Sequence, residues 1–76
     1  MKDIREILID IRPEYSFLEE VNFIEAGMLD SFDVITLVTE IEEKFEIQID
    51  GINILPENFS SIDSIKKLIV LSGGEI

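Results

Sequence analysis

Apolar residues recur at helical spacing in three separate stretches of the chain. Ile4, Ile7, Leu8 and Ile11 make the first stripe, with Lys2, Asp3, Arg5, Glu6 and Asp10 between them, which predicts an amphipathic opening helix. Ile9 lies off the stripe and widens it. Pro13 ends this helix, because proline lacks an N–H donor and pushes the residue before it out of helical geometry. The strongest pattern is DSFDVITLVTEIEEKFEI, which starts at Asp30. Val34, Leu37, Val38, Ile41 and Phe45 fall on one of its faces, and Asp33, Glu40, Glu43 and Lys44 are expected to look outward. A last helix begins at SSIDS, with Ile62, Ile65, Leu68 and Ile69 as its buried stripe. Ser60 with Asp63 resembles a capping box there, with Asp in place of the usual Glu or Gln. Gly73-Gly74 should release the chain into a frayed end at 75–76.

The segments between these helices follow no single period. From Glu14 to Leu29 the chain reads as a long ordered connection, anchored on the core by Phe17, Leu18, Phe23 and Ile24, with a turn at Gly27. Asp50-Gly51 is a turn, and LPENF, with Pro56 suited to a first helical position, is one short helical turn. The isoleucines of IQIDGINI alternate as in a strand, but a lone strand would have nothing to pair with. The expected fold is therefore all-α: a small bundle of three main helices plus one short helical turn, forming a single domain over 1–74.

Composition bounds what such a bundle can do. With 76 residues there is room for one modest core and none for an active site enclosed between domains. The hydrophobic fraction of 46% is ample for folding. Absence of Cys and His removes disulfides and typical zinc sites, so stability must come from helix packing. No apolar run approaches a bilayer-crossing length, and the charged start is unlike a signal peptide, so a cytoplasmic location is expected, with no membrane span. Seventeen acidic against six basic residues give a formal charge of −11. That charge disfavours nucleic acid and favours basic protein partners, although it would serve solubility equally well. A calcium site would need the regular oxygen-ligand spacing and central glycine of an EF-hand loop, which are missing, and no metal site is expected.

The candidate chemistry is at Ser31. Asp30 suits the N-cap of the second helix and Asp33 complements its dipole, and an Asp-Ser pair by itself means no more than that. Its surroundings are more specific. NFIEAGMLDSFDVITLVTEIEEKFEIQI resembles the central motif of acyl and peptidyl carrier proteins, in which an Asp-Ser pair opens the second helix. PENFSSIDSIKKL is similar to that family's short third helix and the start of its fourth. Together with the opening helix, the likeness spans nearly the whole chain.

That resemblance implies a freestanding carrier domain rather than an enzyme. Ser31 would bear a covalent 4'-phosphopantetheine, placed there from coenzyme A by a phosphopantetheinyl transferase. Acyl or aminoacyl intermediates would ride on the arm as thioesters between a loading enzyme and a downstream synthase or transferase with a basic docking surface. The lack of histidine agrees, since Ser31 has no local base of the kind that activates a serine nucleophile. Exposed backbone donors at the helix start should favour a phosphodiester. Asp30, Asp33, Glu42 and Glu43 match acidic positions of the family pattern and would serve partner recognition, chiefly by raising association rates. Glu40, also on the second helix, adds to this acidic face. A monomer is expected. The wording of GMLDSF, with Phe32 after the serine, Thr36 where fatty-acid carriers often have glutamate, and Lys44 within the acidic end, is closer to specialised aminoacyl or D-alanyl carriers. Ile35, Phe59 and Ile62 fit core or interface positions better than the edge of a cleft that shelters a bound chain. The alternative to a loaded carrier is a carrier-like interaction or regulatory module that is never modified.

Overall fold

The computed structural model of the protein describes residues 3–18 and 21–75. Lys2, on the expected first helix, and Ile76, in the expected frayed end, lie outside them. Three α-helices are present, α1 at Ile4–Ile11, α2 at Ser31–Phe45 and α3 at Ile62–Leu71, with no strand among the described residues. Two short 3-10 turns, Gly51–Asn53 and Pro56–Phe59, fill the link between α2 and α3. The all-α expectation therefore holds. IQIDGINI forms no strand: Asp50 caps the first 3-10 turn by accepting from Ile52 N–H at 3.1 Å.

Each helix is bounded by the chemistry that its sequence supplies. Asp3 caps α1 by accepting the Glu6 N–H at 2.9 Å, and the helix stops at Ile11, with Arg12 as C-cap just before Pro13. The N-cap of α3 is Ser61, which accepts from Ser64 N–H at 3.0 Å. This corrects the expected Ser60–Asp63 box by one residue. Ser60 closes the preceding 3-10 turn instead, donating its hydroxyl to the Glu57 carbonyl at 2.9 Å. At the far end of α3 the glycines do not simply release the chain. Gly73 takes a φ of +95°, its N–H donates to Val70 O at 3.1 Å, and Gly74 N–H donates to Ile69 O at 2.8 Å. That left-handed turn caps the last carbonyls of the helix. Its backbone lies so close to Ile69 that a Cβ at Gly74 would collide with the Ile69 side chain.

The expected stripes make the core. Ile4, Ile7 and Leu8 from α1, Val34, Leu37, Val38 and Ile41 from α2, and Ile65, Leu68 and Ile69 from α3 are buried together. Ile9, Ile11, Phe45 and Ile62 flank them, partly covered. α1 packs on both other helices, and the Pro56–Phe59 turn packs on α3, inserting Phe59 fully.

The long connection is held partly by different anchors than expected, with Ile24 packed partly covered against the core as foreseen. Phe17 and Phe23 are buried and meet edge to face, with ring centroids 5.1 Å apart at 90°. Leu18, by contrast, is 68% exposed. Phe17 adopts a left-handed φ of 55°, which costs a non-glycine residue roughly 1–2 kcal/mol; burial of its ring, worth about 1.5–3 kcal/mol, offsets this. With Phe17 turned inward, the next side chain points to solvent. Met28 and Leu29 supply the missing cover, both buried directly before the start of α2. No described helix is long and apolar enough to cross a membrane.

Candidate functional site

Three elements converge on the start of α2. Phe23 N–H donates to Ser60 O at 2.8 Å, tying the connection to the turn before α3. Its own carbonyl accepts from both Met28 N–H at 2.9 Å and Leu29 N–H at 3.2 Å. This double acceptance closes the loop containing Gly27, whose φ is +75°. The chain is thus delivered to Asp30 in a fixed direction.

Asp30 and Asp33 form a reciprocal capping box. Asp30 Oδ1 accepts from Asp33 N–H at 2.9 Å, and Asp33 Oδ2 accepts from Asp30 N–H at 3.1 Å. Ser31 is the first residue of the helix that they open, and its side chain is exposed. Among the described residues its hydroxyl has no hydrogen-bond partner. The backbone donors expected to serve an anion are partly committed: Asp33 N–H to Asp30 Oδ1, and Val34 N–H to Asp30 O at 3.0 Å. What the first turn presents to solvent is a free hydroxyl on a rigidly capped helix end.

Arg12 was not singled out by the sequence pattern, yet it organises this site. From the end of α1 its Nε donates to Asp33 Oδ2 at 2.7 Å, one Nη to Asp30 Oδ2 at 3.1 Å, and the other Nη to Glu14 Oε2 at 3.4 Å. Asp33, expected to look outward, is corrected: its side chain is only 14% exposed, against 54% for Asp30. The Asp30 carboxyl is held below the ordinary carboxylate range, first by the Asp33 N–H bond and then by the Arg12 charge. Arg12 is pushed up in turn, chiefly by its bond to Asp33.

The other acidic positions divide in the same way. Glu42 folds back, Oε2 accepting from Ile49 N–H at 2.8 Å, whereas Glu43 is exposed. Glu40 is half-buried. Lys44 rests over the Phe45 ring at 5.7 Å, and Thr36 turns its hydroxyl back to the Phe32 carbonyl at 3.1 Å. Among the described residues no three acidic side chains cluster closely enough to hold a metal ion.

Beside Ser31 runs an apolar groove of about 400 Å³, lined by Ile24, Leu29, Val34, Ile35, Ile54 and Pro56 together with Asp30 and Ser31. Ile35 is 62% exposed on it, and Phe32 is 79% exposed next to the serine. Phe59 takes no part, being core, and Ile62 packs partly covered against the same core.

A free serine hydroxyl on a capped helix start, with an apolar groove alongside, has its counterpart in a known family. The family model described as phosphopantetheine attachment site matches residues 3–69. The chain belongs to the phosphopantetheine-attachment family. No curated protein and no solved structure matches it significantly. Members of this family bear a 4'-phosphopantetheine prosthetic group and act as carriers, typically without catalytic activity of their own. The geometry of this carrier domain fits the group, since it offers an accessible, uncommitted hydroxyl on a fixed helix end and an apolar surface beside it. The arm, once bound, supplies the thiol that a chain without cysteine lacks.

Proposed function

We propose that Ser31 is the attachment point and that the protein tethers acyl or aminoacyl intermediates as thioesters for delivery to partner enzymes. One observation carries this reading: within the matched segment, the exposed hydroxyl of Ser31, without a hydrogen-bond partner among the described residues, stands on the first residue of a helix capped by Asp30 and Asp33. In the loading reaction the Ser31 oxygen forms a bond to the phosphorus of coenzyme A nearest the pantetheine. The pyrophosphate bond breaks, the nucleotide leaves, and the hydroxyl proton passes to a base on the transferase, because this chain has no histidine to take it.

Of the acidic positions in the family pattern, Asp30 and Glu43 are best placed for recognition, being exposed. Asp33 and Glu42 are more covered and have intramolecular partners to keep, and Asp30, although exposed, is itself paired with Arg12. Exposed Phe32 and Ile35, with back-bonded Thr36 between acidic positions, make the α2 face beside Ser31 less charged than the family's fatty-acid pattern. This supports a specialised aminoacyl or related cargo over a standard fatty-acid partner set.

Incubation of the folded protein with coenzyme A, Mg²⁺ and a broad-specificity phosphopantetheinyl transferase should add one arm by intact mass, and none to Ser31→Ala. Failure of several active transferases on the wild type would overturn the reading. Intact mass of protein from its native cell, with the pathway running, separates a loaded carrier from an unmodified interaction module.

A further inference from the structure

Among the described residues, the carboxylates beside Ser31 are paired with a cation of the chain itself. Six basic residues face seventeen acidic ones, and one of the six, Arg12, contacts three carboxylates at once. Two of these belong to the capping box, and contacting both at once uses the planar fork of a guanidinium, which the point charge of a lysine does not reproduce.

The three contacts are unequal. The bond to Asp33 is the shortest, 2.7 Å, on a side chain only 14% exposed. Those to Asp30 and Glu14, at 3.1 and 3.4 Å, are on side chains 54% and 53% exposed. Asp33 therefore holds the guanidinium in place, while its outer edge lies across the accessible carboxylates. Both oxygens of Asp30 are committed, Oδ1 to Asp33 N–H and Oδ2 to Arg12. A cation from a docking protein therefore meets an Asp30 carboxylate whose charge is already paired with Arg12.

We propose that Arg12 is a specificity-determining residue, an intramolecular gate on Asp30 that a basic partner must displace before it engages the carboxylate beside Ser31. This rests on the reading of Ser31 as the tether. The gate weakens docking of every basic surface, so only partners that outcompete Arg12, or bind through the apolar groove, are used efficiently. A merely structural Arg12, joining α1 to α2, would affect stability and leave docking unchanged.

The test is steady-state kinetics of Ser31 modification, with the apo protein as varied substrate, coenzyme A and Mg²⁺ saturating, and a transferase with a basic docking face. Arg12→Gln removes the gate. Arg12→Lys keeps the charge and the anchor on Asp33 but cannot span both carboxylates, and it serves if Arg12→Gln melts below the assay temperature. Asp30→Asn keeps the capping oxygen while removing the charge that is gated. Displacing one exposed ion pair corresponds to a two- to fivefold effect, roughly. Arg12→Gln is expected to lower KM by that factor at low salt with kcat unchanged, and Arg12→Lys by less. The gain should fade near 1 M salt, where the screening length is only ~3 Å, and should vanish in the Asp30→Asn background. An unchanged or raised KM in the folded variants overturns the gate alone, as does a gain that persists with Asn at position 30. A wild type that no transferase modifies overturns the tether reading, and the gate with it.

Discussion

Truncating Phe23 should destabilise the protein severely, although the residue lies in a segment with no regular secondary structure. The ring is buried and packs edge to face on Phe17 at 5.1 Å, and replacing such a ring with alanine costs about 3–5 kcal/mol. A chain of 76 residues has a total stability of about 4–11 kcal/mol at ~0.05–0.15 kcal/mol per residue. Phe23→Ala thus removes between about a quarter of the stability and all of it. Phe23→Leu keeps most of the volume but loses the ring pair, worth about 0.5–1.5 kcal/mol. Leu18→Ala, in the same connection, should change stability by no more than about 0.5 kcal/mol, because the side chain is 68% exposed. Urea unfolding followed by far-ultraviolet circular dichroism suits a protein without tryptophan. With a slope of roughly 1 kcal/mol/M, the midpoint of Phe23→Ala should fall by about 3 M or more, and that of Leu18→Ala by less than about 0.5 M. Equal costs for Phe23→Ala and Leu18→Ala would refute the assignment of Phe23 as the anchor that directs the chain into α2.

Other outcomes follow from the same geometry. Gly74→Ala places a methyl group against the Ile69 side chain and 3.0 Å from its carbonyl oxygen, so thermal unfolding should show a loss of about 1–3 kcal/mol. Glu42→Ala strips Ile49 N–H of its acceptor and should cost about 1–3 kcal/mol; Glu43→Ala should leave the melting temperature unchanged and raise KM for the transferase. Asp30 is ionised more readily in the folded chain than in the unfolded one. Its stabilisation is therefore complete above the unfolded carboxylate pKa of ~4 and lost as pH falls through the lower folded value. In urea midpoints taken across the acid range, the gap between wild type and Asp30→Asn should accordingly close below about pH 4.

The helices were legible because each buries a stripe that periodicity exposes: Ile4, Ile7 and Leu8, then Val34, Leu37, Val38 and Ile41, then Ile65, Leu68 and Ile69. Asp30 as N-cap and Ser31 as first helical residue were legible too, since capping is a local matter of side-chain type and position. The errors came where neighbours in space decide. Leu18 and Phe17 look alike in a stretch without period, and a left-handed backbone at Phe17 determines which one turns inward. Ser60 and Ser61 are both competent caps, and the choice fell to the one whose hydroxyl meets Ser64 N–H. Asp33 reads as outward on a helical wheel, but the end of α1 brings Arg12 over it. Nothing in the spacing of Arg12 and Asp33, 21 positions apart, announces that contact.

Peptide mapping by tandem mass spectrometry after transferase treatment tests the central claim most directly. Six serines compete for the arm, Ser16, Ser31, Ser60, Ser61, Ser64 and Ser72. The account predicts a single phosphopantetheine, found only on the peptide carrying Ser31 and absent throughout from Ser31→Ala. An arm on any other serine, or an unmodified wild type beside a fully modified control carrier, would contradict it.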